Sequence, residues 1–310
     1  VIEVRTPTRL HFGFLAFGVE GEREFGGPGL MIRQPDVVMR LELTGGRGDV
    51  VGKGPLGDKA ATAAARFLDA AMQRGMLSDR PGVAIDMRSV PRPHTGLGSG
   101  TQIAMAAGRG LCRLLSLAEP AVPELAAMVG RGRRSAIGVH GFDAGGFLLE
   151  GGKINRQGLS PLLMRRDFPE NWRIIIIRPR ALEGLAGERE HKAFGEMPAM
   201  PRQVTDELCR LVLLGMCPAL VEGISIASAM RCMSCNSGWD SALSTHRGAF
   251  MRIRCWIGSS STFAALGCAA WGRAVGVRRF TRSRRRSRPV NRWLRMCGRP
   301  SACSSAGKSL

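Results

Sequence analysis

The chain contains no tyrosine in 310 residues, and aromatic residues of all kinds make up only 5%. It has no run of eighteen apolar residues, which excludes a membrane-spanning helix of ordinary length. The first ten residues, VIEVRTPTRL, are charged from the third onward and supply no apolar secretory core. Nine cysteines without an export signal predict free thiols in a reducing, cytoplasmic setting, not a disulfide framework. Acid is scarce as well. Asp+Glu 25 against Lys+Arg 45 leaves a net charge of +20, which at first suggests a nucleic-acid partner.

The charge is unevenly placed. Residues 224–310 hold 16 basic groups and one acid, Asp240, a net of +15, so residues 1–223 carry only +5. The same stretch holds six of the nine cysteines and strings Arg, Ser, Cys and Trp together without a sustained period of two or 3.6. Cys232-x-x-Cys235 has the spacing of half a zinc site, but no second pair follows and His246 is alone. An Arg-rich arm that binds nucleic acid electrostatically is the other reading of this segment. A third is a GC-rich coding sequence read out of frame, which predicts a disordered tail.

Residues 1–223 look like a small-molecule enzyme. Val1–Arg5 alternates as a strand ending before Pro7, and Val37–Leu43 is another, with a glycine-rich loop, Phe25–Leu30, between them. Helices are expected over Lys59–Arg74, Thr101–Leu115, Val122–Val129 and Pro201–Cys217, the last stopped or kinked by Pro218. Val83–Arg88, Phe147–Leu149 and the apolar Trp172–Ile177 read as strands, the last opening a second domain. The mixed order argues for an α+β fold over a doubly wound parallel sheet.

The most informative segment is residues 91–102, PRPHTGLGSGTQ, which follows a strand and runs into a helix. Its glycines let backbone N–H groups approach a ligand, and the helix N-terminus favours a phosphate. Ser99 and Thr101 add hydroxyls for phosphate oxygen or Mg²⁺. A Walker A loop is excluded because no lysine is present, and a Rossmann fingerprint because Pro91 and Pro93 intervene after the strand. Gly108 and Gly110 stand in the interior of the following helix, at about 1 kcal/mol each relative to Ala, and imply close helix packing.

The P-x-x-G-L-G-S-G pattern resembles the phosphate-binding motif of the galactokinase, homoserine kinase, mevalonate kinase and phosphomevalonate kinase (GHMP) superfamily. Within it the chain resembles the β-ribofuranosylaminobenzene 5'-phosphate synthases of methanopterin biosynthesis. The resemblance is carried by residues 6–13 (TPTRLHFG), 25–30 (FGGPGL), 130–138 (GRGRRSAIG), 142–147 (FDAGGF) and 184–188 (GLAGE), and spans 1–223. It implies a two-domain GHMP-type fold. A ribosomal-S5-domain-2-like N-terminal domain would cover residues 1–155, with the phosphate loop at 91–102. An incomplete ferredoxin-like C-terminal domain would begin at 156–223, and 224–310 would be the aberrant tail.

The resemblance also bears on chemistry. Kinases of the superfamily carry a segment like S-G-x-D whose aspartate accepts the substrate proton. Setting Ser135 on that serine, and Gly145-Gly146 on the following glycine pair, puts Gly138 at the aspartate's place, and Asp143 lies five residues away. Glycine cannot act as a base. That weighs against an ATP-dependent small-molecule kinase, which stays the first alternative, with a nucleic-acid-binding protein the second.

The synthase reaction joins 5-phosphoribosyl 1-pyrophosphate to 4-aminobenzoate or 4-hydroxybenzoate and releases pyrophosphate and CO₂. Its implied cofactor is Mg²⁺, with no organic cofactor, and a homodimer is compatible with the family. Candidate phosphate and substrate binders are Gly96, Leu97, Gly98, Ser99, Gly100, Thr101, Arg131, Arg133, Arg134 and Ser135. Arg9, His11 and His94 are the catalytic candidates, Arg9 and His11 sharing one side of a strand. Ser99 and Glu188, with Glu190 beside it, are the metal candidates.

The family's C-terminal pattern, resembling V-G-Q-S-S-W-G-P-T-V-Y, is missing in frame. Codons for residues 269–281, AAWGRAVGVRRFT, can be chosen so that a neighbouring frame reads it, and the same offset turns 224–241 into an amphipathic helix. A one-nucleotide slip after Glu222-Gly223 is therefore expected.

Overall fold

The computed structural model describes residues 1–92, 95–154, 158–177, 192, 196–223 and 254–259. One six-stranded sheet organises most of them. Its strands are β1 (Ile2–His11), β2 (Gly27–Arg47), β3 (Val50–Lys53), β4 (Pro81–Ser89), β5 (Phe147–Glu150) and β6 (Leu162–Arg166). The order is β3-β4-β2-β5-β6, with β1 also on β2. Only β3 and β4 are parallel, joined through helix α1 (Gly57–Gln73), and the other pairs are antiparallel. The α+β class expected from the order of elements is the class observed.

Long β2 is the spine. Its N-terminal end, Gly27–Leu30, pairs with β5, while Val38–Arg47 pairs with β4, and β1 lies against both halves. Two expectations are corrected here. β1 does not end before Pro7; it runs on to His11, with the proline at a register shift between Thr6 and Thr8 where no ladder N–H is needed. Most of the glycine-rich loop at Phe25–Leu30 is strand, because its glycines admit close neighbours: a Cβ on Gly29 would stand 2.6 Å from Ile137.

Helices α1, α2 (Ser99–Leu114), α3 (Val122–Met128) and α4 (Ile137–Ala144) cover one side of the sheet. Their core joins Val4, Met39, Leu41, Val83 and Ile85 of the strands to Phe67, Leu68, Ile103 and Leu111. Gly108 and Gly110 do mark close packing. A Cβ on Gly108 would meet Leu125 at 2.7 Å and Phe67 at 3.1 Å, and one on Gly110 would meet Leu41 at 2.7 Å.

Alternate side chains of β2 and β5 serve a second core. Leu30, Ile32, Phe147 and Leu149 pack with Trp172, Leu208, Val212 and Met216, whereas Met31 and Leu148 point to Ile137 of α4. The second core is closed by a helical run: α5 (Arg202–Arg210), a π-helical stretch (Leu211–Met216) and α6 (Cys217–Glu222). Pro218 does not stop this run, which continues to Glu222; a π-helical stretch ends just before the proline, where the helix would otherwise need its missing N–H.

β6 lies beyond residue 155 yet belongs to the first sheet. β7 (Trp172–Ile177) pairs antiparallel with β8 (Arg254–Ser259), six residues of the 224–310 segment for which composition predicted no element. The rest of that segment lies outside the described residues. Among the described residues no helix is long and apolar enough to cross a membrane.

Candidate functional site

The connection from β4 to α2 turns through left-handed Gly96 (φ 72°) and Gly98 (φ 66°). Between them Leu97 is buried, and its carbonyl accepts the Arg9 N–H at 3.0 Å, pinning the loop to β1. The Gly98 carbonyl accepts the N–H groups of Thr101 (3.1 Å) and Gln102 (3.3 Å). The Ser99 and Gly100 N–H groups therefore have no intrahelical acceptor, and with the helix dipole they make a seat for an anion. Ser99, Gly100 and Thr101 are half-exposed, so this seat is open.

Arg9 crosses it. A Cβ on Gly98 would stand 2.5 Å from Arg9 Cγ and 2.9 Å from its Nε. From the opposite side comes Gly138 of α4, where a Cβ would lie 3.3 Å from Thr101 Cγ2 and 3.6 Å from Arg9 Nε. Buried Gln102 fixes this approach: its Nε2 donates to the Gly138 carbonyl (2.7 Å) and its Oε1 accepts the Thr6 hydroxyl (2.7 Å). The position matched to the kinases' aspartate thus faces the β4–α2 connection and Arg9, and carries no side chain. Asp143 does not stand in for it. Its carboxylate is paired with buried Arg109 at 2.7 Å, which also holds Glu119.

His11 shares its side of β1 with Arg9, but both ring nitrogens are turned inward. Nδ1 accepts the Gly13 N–H at 3.1 Å, which leaves the proton of the neutral ring on Nε2. Nε2 is buried 3.7 Å from Glu150 Oε1, too long for a hydrogen bond, and among the described residues neither atom has another partner. Burial pushes the His11 pKa below its ordinary value, and the facing Glu150 opposes that shift without reversing it. Fully buried Glu150 accepts the Ala136 N–H at 2.6 Å through Oε2.

Lys153, also buried, completes a clamp on residues 130–136. Its Nζ donates to the carbonyls of Gly132 and, at 2.8 Å, Arg133. Its backbone exchanges two hydrogen bonds with Glu24. Arg131 and Arg134 are half-buried and Arg133 is exposed. The Ser135 hydroxyl accepts the Ile137 N–H at 3.3 Å, at the first residue of α4. An apolar cleft of about 330 Å³ opens nearby, between Leu15, Leu149 and Leu163 on one side and Cys209, Val212 and Leu213 on the other.

The sequence profile of the GHMP kinases N terminal domain matches residues 59–151, from α1 past the end of β5. Two proteins named beta-ribofuranosylphenol 5'-phosphate synthase, from Methanothermobacter thermautotrophicus and Archaeoglobus fulgidus, are each 32% identical to this chain. The matches cover 71% and 72% of this chain and 70% and 71% of those proteins. The chain belongs to this synthase family. A protein of the same name from Methanocaldococcus jannaschii is 28% identical over 71% of the chain and 72% of its own length.

The fold is similar to those of solved small-molecule kinases. Streptococcus pneumoniae phosphomevalonate kinase, in complex with phosphomevalonate and AMPPNP, has a TM-score of 0.61 at 12% identity, covering 88% of this chain and 97% of its own. Cytophaga hutchinsonii homoserine kinase gives 0.56 at 16%, covering 88% and 89%. At these identities the likeness is one of fold alone.

Of the candidates read from sequence, Arg9, Gly96, Leu97, Gly98, Ser99, Gly100 and Thr101 come together at one seat. Arg131, Arg133 and Arg134 share the neighbouring loop, while Ser135 serves the helix. His94, Glu188 and Glu190 lie outside the described residues. Sequence reasoning missed Glu150, Lys153 and Gln102. Their only sequence signal is a charged or amide group inside an otherwise apolar or small-residue stretch.

Proposed function

We propose that this synthase-family chain is a decarboxylating phosphoribosyltransferase. It would join 5-phosphoribosyl 1-pyrophosphate to a para-substituted benzoate and release pyrophosphate and CO₂. The relatives are named for a ribofuranosylphenol product, so 4-hydroxybenzoate is the acceptor of first choice and 4-aminobenzoate the second. The observation that carries the reading is Gly138 beside Arg9. Phosphoryl transfer to an alcohol needs a base at that place, whereas departure of pyrophosphate needs a cation there.

The bonds balance without an added acid or base. The ribose C1–oxygen bond breaks with its electron pair leaving on pyrophosphate. The ring carbon bearing the carboxylate attacks C1, and the carbon–carboxylate bond then breaks, returning its electrons to the ring as CO₂ departs. The α2 N-terminus and Arg9 would hold the pyrophosphate, and the arginine loop another anionic group.

Mg²⁺ is implied by the family. Among the described residues no cluster of three His, Cys, Asp or Glu could hold it. The donors present, the hydroxyls of Ser99 and Thr101, suit a Mg²⁺ that arrives on the pyrophosphate and keeps several waters. When bound, that ion would neutralise charge on the leaving group.

The test is to incubate the purified protein with phosphoribosyl pyrophosphate, Mg²⁺ and carboxyl-labelled 4-hydroxybenzoate. Pyrophosphate and labelled CO₂ are expected in equal amounts. ATP consumption coupled to an alcohol, with no CO₂ from the benzoate, would overturn the proposal in favour of a kinase.

A further inference from the structure

Three guanidinium groups gather at the arginine loop. Arg66 comes from the exposed face of α1, and its Nη1 lies 3.3 Å from where a Cβ on Gly130 would stand. Arg131 follows that glycine, its Nε buried and, among the described residues, without a hydrogen-bond partner. Burial, and after it the charges of Arg66 and Arg133, push the Arg131 pKa down. Among the described residues no carboxylate pairs with any of the three. Neighbouring arginines differ: Arg74 pairs with Glu124, Arg80 with Asp69, Arg109 with Glu119 and Asp143, and Arg113 with Glu119.

Concentrating three cations without an acid costs free energy unless an anion offsets it. The loop backbone is arranged for such an anion. Lys153 draws the Gly132 and Arg133 carbonyls inward, and Glu150 holds the Ala136 N–H. The oxygens that would repel a negative ligand are thereby turned onto a buried ammonium.

The cluster is distinct from the phosphate seat. Val129, just before it, packs at Gly108, nine residues along α2 from Ser99. At 1.5 Å per residue that is an offset of roughly 13 Å, part of which the arginine side chains span. A phosphoribosyl pyrophosphate likewise carries two anionic ends, held apart by its ribose ring.

We propose that Arg66, Arg131 and Arg133 form a phosphomonoester subsite that receives the 5-phosphate of the donor, while the pyrophosphate occupies the α2 seat. The inference rests on the phosphoribosyl-transfer reading. It adds Arg66, on an element that carries no other site residue, and it divides the two anions between two seats.

Calorimetric titration of the full chain with ribose 5-phosphate and with inorganic pyrophosphate tests the division. The Arg66→Ala/Arg131→Ala variant is expected to bind ribose 5-phosphate at least about tenfold more weakly and pyrophosphate within about twofold of the parent, as loss of charge-assisted hydrogen bonds to one anion predicts. Ser99→Ala/Thr101→Val should show the reverse. Arg66→Ala alone, at an exposed helix position, keeps the test open if the double variant does not fold, and it should still weaken ribose 5-phosphate several-fold. Equal loss of both ligands, or of neither, in the arginine variants overturns the subsite. A parent chain that binds pyrophosphate but not ribose 5-phosphate also overturns it and leaves the transferase reading standing. A parent that binds neither overturns both.

Discussion

Arg9 is seated between two glycines. Gly98 leaves room for its stem and Gly138 for its Nε, so the side chain runs beside the N-terminus of α2. Gly138→Asp would restore a carboxylate at the kinase position and draw the charge of Arg9 onto it. Pyrophosphate release is then expected to fall on the order of 10²-fold, comparable to losing one preorganised electrostatic donor, with no ATP-dependent phosphorylation gained. A rate within twofold of the parent would remove Arg9 from the reaction. His11 illustrates what sequence could not convey. The RLHFG motif places it one strand step from Arg9, but whether its nitrogens face ligand depends on Gly13 and on Glu150, 139 residues away. With its folded pKa lowered, the ring stays neutral at a pH where the unfolded chain has already bound a proton. Stability is therefore present above the unfolded value of about 6.5 and is lost as pH falls below it, at up to about 1.4 kcal/mol per pH unit. His11→Gln should flatten that slope in urea titrations at roughly pH 7.5 and pH 5, and an unchanged slope would assign it to other groups.

At the scale of elements, legibility followed periodicity. Helices α1 and α2 were plain from an alanine-rich apolar face, and their packing was plain from Gly108 and Gly110, which fit only against close neighbours such as Leu125 and Leu41. Phe67 fills the junction of α1 with α2 and is fully buried. Phe67→Ala is expected to cost about 3–5 kcal/mol, read as a lowered denaturant midpoint. A loss under about 1 kcal/mol would mean that α1 repacks. The first part of β2, before Val37, and α4 are not legible, because glycines that normally mark turns serve there to let backbones and side chains approach. In sequence the loop of residues 130–136 shows only a cluster of arginines, and the buried Lys153 that holds it is not visible because its partners are backbone carbonyls, which leave no trace in sequence. Lys153→Met removes the donor to two carbonyls and should cost about 1–3 kcal/mol. It is also expected to raise KM for the phosphoribosyl donor more than it lowers kcat, and a fall in kcat alone would place Lys153 in the chemical step.

For the whole molecule the charge asymmetry turns into a question of gene integrity. The three relatives match 71–72% of this chain and 70–72% of their own lengths. Residues 1–223, with a net charge of +5, make up about 72% of the 310. The matched share of this chain is thus about equal to the share of ordinary composition, and each relative has nearly a third of its length outside the match. We propose that the coding sequence slips by one nucleotide after codon 223, so that 224–310 replaces the native end of the second domain. Resequencing is expected to find a single insertion or deletion there, and an uninterrupted frame through residue 310 sinks the idea. The protein offers a second, independent check. The second core is closed on its described side by α5, the π turn and α6, with Leu213, Leu214 and Val221 of that run exposed. A chain carrying the neighbouring frame's product after Gly223 should cover such surface, gain soluble yield and melt several degrees higher, since each 1 kcal/mol shifts Tm by roughly 2–4 °C for a chain of this size. If the repaired chain melts no higher than the parent, and deleting residues 224–310 abolishes a salt-sensitive affinity for nucleic acid, then the +15 is a binding arm and the frame is intact.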